Sequence, residues 1–201
     1  MSIQEVIVRP REGVGKGVAR RLRRDGLIPS VVYGLKLGSI PISVEPKAIN
    51  RIIHSEKGLN SVLDLRLQGT EQTRHVMIKA VDRHPVTDRL IHVDFLRINM
   101  ADEIRVEIPI EYEGTPEGVK LGGVLTLVRH MVEVSCLPQN VPGTLRVDVS
   151  GLHMDESLRI SDLPVLEGVT YRVGAKRVIA VVHAPDKGEE AAEEEDDDIE
   201  E

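Results

Sequence analysis

The chain has 201 residues, of which 41% are hydrophobic, 29% charged and only 2% aromatic. This composition is typical of a soluble chain that can bury one or two cores built mainly from Val, Ile and Leu. No stretch approaches 18 consecutive apolar residues, which excludes a membrane-spanning helix, and the first residues lack the apolar region of a secretory signal. The single cysteine, Cys136, cannot form an internal disulfide, so we expect a cytoplasmic protein.

The net charge of −7 is distributed unevenly along the chain. Residues 1–99 hold 17 Lys/Arg and 10 Asp/Glu, a net charge of +7, whereas residues 100–185 hold 8 and 12, a net charge of −4. Residues 186–201 hold one lysine and 11 acidic residues, a net charge of −10. That last segment has no apolar periodicity and repels itself, so we predict a disordered acidic tail. The total charge therefore does not exclude a polyanionic partner for the basic N-terminal part.

In chain order, the first distinctive segment is strongly basic. Residues 9–24 contain seven cations and one acidic residue, Glu12. Residues 17–25 predict a short helix, with Val18 and Leu22 as its inward side chains. A solvated surface segment is one interpretation. Six arginines among the seven cations favour phosphate binding, because a guanidinium group presents a planar fork of donors.

The predicted helix places Arg20 and Arg24 one turn apart and Arg21 beside Arg24, so several guanidinium groups project from one side. The glycines of residues 13–17 would let the preceding loop approach a ligand closely, although a mobile loop without a ligand can have the same composition. Tyr33 ends the next strand pattern, where its ring and hydroxyl can either contact a sugar or phosphate or fill a core position.

The remaining pattern predicts one more helix and many strands. Residues 46–57 predict a helix that starts at Pro46, carries isoleucines on one stripe and stops at Gly58. Alternating apolar and polar residues predict strands at residues 62–67, 75–81, 90–98, 104–112, 144–149 and 177–182. Short strands at this spacing predict a mainly β chain of sandwiches or barrels. The charge changes sign at the polar residues 99–103, where we place a boundary between two domains.

No catalytic or cofactor motif is complete. The run GVGKG at residues 13–17 lacks the Ser or Thr of a phosphate-binding Walker loop, and Val18 replaces the third glycine of a dinucleotide fingerprint. His92 and Asp94 point to the same face of a predicted strand, but no nucleophile or third metal ligand accompanies them. A structural hydrogen bond and an RNA-contacting pair are the alternatives to a hydrolytic or metal site. We therefore predict no enzymatic activity, no cofactor and no metal.

Two segments together carry a family resemblance, REGVGKGVARRLRRDGLIPSVVYG at residues 11–34 and DRHPVTDRLIHVDF at residues 82–95. They resemble the bacterial large-subunit ribosomal proteins of the L twenty-five family, which bind 5S ribosomal RNA. The segments EGTPEGVKLGGVL, VDVSGL and SLRISDL, at residues 113–125, 147–152 and 157–163, followed by the acidic tail, resemble its long two-domain form, which includes general stress protein CTC.

The resemblance implies a small N-terminal β-barrel with two short helices in residues 1–99, a second β-rich domain in residues 100–185 and the disordered tail in residues 186–201. The barrel would bind an irregular helix of 5S RNA from its minor-groove side. The implied RNA contacts are Arg11, Lys16, Arg20, Arg21, Arg23, Arg24, Tyr33, His92 and Asp94.

The resemblance further implies a cytoplasmic, ribosome-associated structural constituent of the large subunit. Its partners would be 5S ribosomal RNA and neighbouring ribosomal proteins, with no membrane and no small-molecule substrate. One alternative is a stress-related protein-interaction or chaperone-like factor, in which the second domain and the acidic tail do the main work and RNA affinity is incidental.

Overall fold

A computed structural model describes residues 4–184 of the protein, apart from Glu12, Glu56 and Glu71. The chain divides into two compact units. The first takes the described residues of Met1–Pro109, Glu133–Leu145 and Val165–Arg172, and the second takes those of Ile110–Val132, Arg146–Pro164 and Val173–Glu201. The predicted disordered tail, residues 186–201, lies outside the described residues.

Six strands of the first unit close into a barrel in the order β1-β3-β2-β6-β5-β4. The strands are β1 (Gln4–Pro10), β2 (Ile28–Gly34), β3 (Leu37–Val44), β4 (Val62–Leu67), β5 (Thr73–Arg83) and β6 (Leu90–Arg97). Neighbours are antiparallel except for two parallel pairs, β1 with β4 and β2 with β6. The predicted N-terminal β-barrel is therefore confirmed.

Both predicted helices of the barrel unit are present, as α1 (Lys16–Arg24) and α2 (Pro46–Ile53). The second ends four residues before the predicted end at residue 57. There the His54 backbone N–H donates to the Asn50 carbonyl, the His54 imidazole bonds the same carbonyl at 2.7 Å, and the Ser55 hydroxyl donates to the Ile52 carbonyl. Because side chains satisfy the last helical carbonyls, the helix stops and a 3-10 turn follows at Gly58–Asn60.

The barrel core consists almost entirely of aliphatic side chains around the only phenylalanine of the sequence. Phe95 is fully buried, as are Leu63, Val76 and Val93. Ile49 of α2 belongs to the same core and is also fully buried. Inward residues alternate with outward ones along β1, β4 and β6, so the outer face of these strands remains available for polar and charged side chains.

A buried arginine, Arg97, fastens the β2–β3 hairpin to the end of β6. Its Nη1 donates to the Gly38 carbonyl at 3.0 Å and to the Gly34 carbonyl at 3.5 Å, and the residue is only 7% exposed. Gly34 has φ +114°, and a Cβ there would approach the Arg97 carbonyl oxygen to 3.0 Å. Because backbone passes backbone so closely, a larger residue would push the hairpin away.

The strands after the barrel form two more sheets, in the orders β10-β7-β9-β12 and β11-β13-β8. Their bounds are β7 Ile104–Glu113, β8 Val124–Leu127, β9 Met131–Cys136, β10 Leu145–Asp148, β11 Ser157–Arg159, β12 Val169–Tyr171 and β13 Val178–His183, with a short helix α3 at Glu117–Lys120. This β-rich C-terminal part agrees with the predicted mainly β chain. Among the described residues, no helix has the length and apolarity to cross a membrane.

The second unit has a small core of its own, formed by Val149, Leu152 and Val182. Tyr112 packs against this core, and its hydroxyl donates to the Arg129 carbonyl. Burial of the phenol raises the pKa of Tyr112 to about 12, because the charged phenolate is poorly solvated there. The tyrosine is therefore a neutral structural hydrogen-bond donor.

Candidate nucleic-acid interface

The connection between β1 and α1 is set by a glycine at the helix start. Gly15 precedes the first helical residue with φ 104° and ψ 174°, and its carbonyl accepts the Ala19 backbone N–H at 3.1 Å. Residues other than glycine rarely adopt such a backbone conformation, because their Cβ clashes with the backbone. Gly15 therefore lets the chain turn sharply out of the barrel and begin the helix that carries the cations.

Helix α1 lies on the surface of the barrel with no buried residue. Val18 and Leu22 are half-buried and point towards the barrel, where α1 packs against β2. At 3.6 residues per turn, Lys16, Arg20 and Arg24 form the opposite stripe, and all three are exposed. No carboxylate of the described residues forms an ion pair with them, so their charges are free to meet an anionic partner.

The helix is tied to β6 by one of its own arginines. Arg23 Nε donates to the Ile91 carbonyl oxygen at 3.0 Å, across 68 positions of sequence. This bond leaves the two terminal nitrogens of the guanidinium group available for other acceptors. The neighbouring Arg21 is exposed on the other flank of α1. Arg23 therefore both positions the helix and contributes charge, whereas the other arginines of α1 make no such bond to the described residues of the barrel.

His92 and Asp94 form a hydrogen-bonded pair on the outer face of β6. His92 Nδ1 lies 2.7 Å from Asp94 Oδ1, and the two side chains are 28% and 31% exposed. The buried Val93 and Phe95 occupy the alternate, inward positions. When the Nδ1–H donates to the carboxylate, the Nε2 of the neutral ring presents a lone pair, and the carboxylate keeps further acceptor sites. The pair can therefore accept hydrogen bonds from hydroxyl and amino groups.

Tyr33 and Asp82 extend this outer face on the two neighbouring strands. Tyr33 lies opposite Leu96 in the parallel β2–β6 register and is half-buried, with its ring on the outward side of β2. Asp82 lies opposite His92 in the β5–β6 register and is exposed. The sequence interpretation missed Asp82. The antiparallel pairing of residues 73–83 with 90–97 is the signal that could have placed it beside His92.

Arg11 occupies a different position from the other predicted contacts, at the end of β1. Its backbone N–H donates to the Pro41 carbonyl at 3.1 Å, which aligns it with β3. The Arg11 side chain is half-buried, and its Nε is buried without a hydrogen-bond partner among the described residues. A buried donor of this kind normally has an acceptor, so Arg11 has an unused donor.

The structure thus brings most of the predicted residues to one side of the barrel. The Arg23–Ile91 bond joins the cationic helix to the strand of His92 and Asp94, and Tyr33 lies on the neighbouring strand. Among the described residues, no group of three or more His, Cys, Asp or Glu is arranged to hold a metal ion. The arrangement combines unpaired cations, two hydrogen-bonded acceptors and an aromatic ring, which suits a sugar-phosphate ligand.

Comparison with known proteins agrees with the predicted resemblance. The Ribosomal L25p family matches residues 6–95, and the C-terminal domain of ribosomal protein TL5 matches residues 103–186. A protein from Desulforudis audaxviator named large ribosomal subunit protein bL25 is 37% identical over 198 residues, covering 97% of this chain and 93% of its own.

Two further relatives carry the same name. The protein from Syntrophotalea carbinolica is 41% identical over 169 residues, covering 84% of this chain and 81% of its own. The protein from Sorangium cellulosum is 36% identical over 187 residues, covering 93% and 81%. With the barrel, the cationic helix and the β-rich C-terminal part all in place, the chain belongs to the ribosomal L25p family, in the long form that carries a TL5-type C-terminal domain.

Proposed function

We propose that this protein is a structural constituent of the large ribosomal subunit and binds 5S ribosomal RNA through its N-terminal barrel. Relatives that align over most of their length are named large ribosomal subunit protein bL25, which supports the ribosomal role. In this proposal the protein is cytoplasmic and ribosome-associated, contacts neighbouring ribosomal proteins, and acts by binding rather than by catalysis.

The observation that carries the RNA-binding part of the proposal is the hydrogen bond from Arg23 Nε to the Ile91 carbonyl. It holds an otherwise weakly packed cationic helix beside the strand of His92 and Asp94. Charged and hydrogen-bonding groups therefore face the same ligand. Arginines that served only to keep the surface soluble would not require a hydrogen bond that fixes the position of their helix.

The two kinds of group have different roles in this proposal. The cations Arg11, Lys16, Arg20, Arg21, Arg23 and Arg24 bind phosphates, and release of counterions supplies most of the affinity. His92, Asp94 and Tyr33 contact the RNA at positions that depend on its shape. The wide minor groove of an A-form helix displays 2′-hydroxyls and base edges, which are suitable partners for the acceptors of the His92–Asp94 pair.

We also propose that residues 1–99 and 100–185 act as two domains, with RNA binding assigned to the first. The two family matches end and begin on either side of this boundary, at residues 95 and 103. The net charges of the two segments, +7 and −4, support the same division. The role of the second domain would then be contact with neighbouring proteins rather than with RNA.

A competition binding assay of the full chain tests the proposal. We expect 5S ribosomal RNA to displace a labelled 5S fragment at much lower concentration than transfer RNA does, at both low and moderate salt. If about five phosphates are neutralised, the logarithm of the association constant falls with the logarithm of salt concentration at a slope of about −3 to −5. Equal competition by the two RNAs would contradict 5S recognition and favour a protein-interaction factor with incidental RNA affinity. A binding constant that hardly changes with salt would contradict the phosphate contacts.

A further inference from the structure

The loop between β5 and β6 is held in one conformation by its own side chains. The His84 backbone N–H donates to the Arg89 carbonyl, and the Asp88 backbone N–H donates to the His84 carbonyl, both at 2.9 Å. Arg83 Nη1 donates to Asp88 Oδ2 at 2.6 Å, while Asp88 adopts φ +51°. A non-glycine residue in the left-handed region costs free energy, and here the surrounding hydrogen bonds hold it there.

The imidazole of His84 is part of this support. Its Nδ1 accepts the backbone N–H of Val86 at 3.2 Å and of Thr87 at 3.3 Å. A ring nitrogen that accepts hydrogen bonds carries no proton, so the proton of the neutral ring is on Nε2. His84 is exposed. The loop therefore presents one fixed donor, Nε2–H, to whatever lies outside it.

The same hydrogen bonds expose an aliphatic side chain at the tip of the loop. Val86 is 85% exposed, more than the other exposed apolar residues of this part of the chain, of which Val14 at 73% and Ile7 at 62% come next. The side chain of Val86 gains nothing from the barrel core. The hydrogen bonds of the loop, and not burial of Val86, therefore hold the loop in place.

The loop is continuous with the proposed RNA interface. β6 begins at Leu90, directly after the loop, and the next residue, Ile91, accepts the hydrogen bond from Arg23 of α1. The pair His92–Asp94 follows on the same strand. The tip of the loop and the cationic helix therefore flank the start of one strand, and Arg89 adds an exposed cation at the base of the loop.

We propose that the loop His84–Arg89 is an additional RNA contact of the barrel, a role that rests on the proposed function. Val86 packs against the riboses or base edges of a shallow minor groove, and His84 Nε2–H donates to a 2′-hydroxyl or a base acceptor there. Contacts of this kind read the shape of a groove. The loop thus adds selectivity for a structured RNA, while the arginines of α1 add affinity for any RNA.

Binding of the full chain to 5S ribosomal RNA and to transfer RNA at fixed salt tests this contact with two substitutions. Val86→Ala removes apolar surface without touching any hydrogen bond of the loop, and we expect about tenfold weaker 5S binding. His84→Asn keeps a side-chain oxygen that can accept the Val86 and Thr87 N–H groups but lacks the Nε2 donor, and we expect about fivefold weaker 5S binding. For both variants we expect little change with transfer RNA and unchanged melting temperatures.

Matched controls are available elsewhere in the chain. Val165 is 91% exposed and His54 is exposed at the end of α2, so Val165→Ala and His54→Asn leave the RNA affinity unchanged. If the wild type prefers 5S RNA but Val86→Ala and His84→Asn bind it as tightly as the wild type, the loop is not an RNA contact and this inference is overturned. If the wild type itself has no preference for 5S RNA, the proposed function is overturned instead.

Discussion

The two helices of the barrel unit have similar lengths but opposite relations to the core. Helix α2 has eight residues and buries Ile49 and Ile52, whereas α1 has nine residues and buries none. The sequence of α2 is explained by the fold, because its isoleucines fill the barrel. The sequence of α1 is not explained in this way, since four exposed arginines in nine residues contribute little to packing. The exposed arginines of α1 are therefore available to the RNA partner proposed above.

The contacts that attach the two helices to the barrel also differ. Helix α2 is held by apolar contacts with the barrel core. Helix α1 is held by the half-buried Val18 and Leu22 and by the Arg23–Ile91 hydrogen bond. Exposed hydrogen bonds contribute about 0.5–1.5 kcal/mol, much less than full burial of two isoleucines. The attachment of α1 to the barrel thus depends on few contacts.

Truncation of the α2 anchor gives the largest expected effect. Ile49→Ala leaves a cavity in the barrel core, and we expect the free energy of unfolding to fall by about 2–5 kcal/mol, measured by urea denaturation. In matched conditions, Arg20→Ala changes it by less than about 0.5 kcal/mol, because that side chain is exposed and unpaired. A comparable loss of stability in both variants would show that α1 also supports the core.

Loss of two outward arginines of α1 gives the next largest effect. We expect the double variant Arg20→Ala with Arg24→Ala to bind 5S RNA and transfer RNA more weakly by about 10-fold to 100-fold, because two phosphate contacts are lost. The salt slope becomes shallower by about two units. Titrations at several salt concentrations measure both quantities.

The double variant Arg146→Ala with Arg172→Ala is the matched control, since both arginines are exposed in the C-terminal part and the change in net charge is the same. If this control weakens binding as strongly, the effect comes from total charge and not from the position of α1.

The smallest expected effect concerns selectivity, and it distinguishes the role of β6 from that of α1. We expect His92→Ala to weaken 5S binding by about fivefold, since one hydrogen-bonded contact is lost, and to change transfer RNA binding little. The barrel contains a second pair of the same type, His75 Nδ1 with Asp64 Oδ1 at 2.6 Å. His75→Ala leaves binding unchanged. Equal losses on both RNAs for His92→Ala would make His92 a positioning contact only.

Two strands with a clear alternation of apolar and polar residues could be predicted accurately. The pattern at residues 62–67 matches β4, and residues 104–112 match β7 to within one residue. β1 and β3 escaped prediction because their apolar residues lie on both faces. Ile7 is 62% exposed between the buried Val6 and Val8, and Leu37 of β3, on the face opposite to the buried Ile42 and Val44, is 59% exposed.

The components of the candidate site could be predicted, but not their assembly. The arginine-rich run, Tyr33 and the alternation of His92 and Asp94 with Val93 and Phe95 are visible in the sequence. The bond from Arg23 to Ile91 joins residues 68 positions apart, and the parallel register of β2 with β6 sets which residues share a face. Neither has a local signal, because both depend on closure of the barrel.

Because the hydrogen bond from Arg23 to Ile91 joins two distant parts of the chain, the candidate site can form only late during synthesis. The arginine helix emerges from the ribosome early, whereas the strand that anchors it and carries His92 is the last strand of the barrel. Contacts between distant segments form only after the intervening chain has been made and loop-closure entropy has been overcome. Under the proposed function, a nascent chain attracts polyanions without selectivity until β6 docks beside β2, and discrimination between RNAs begins only with the completed domain.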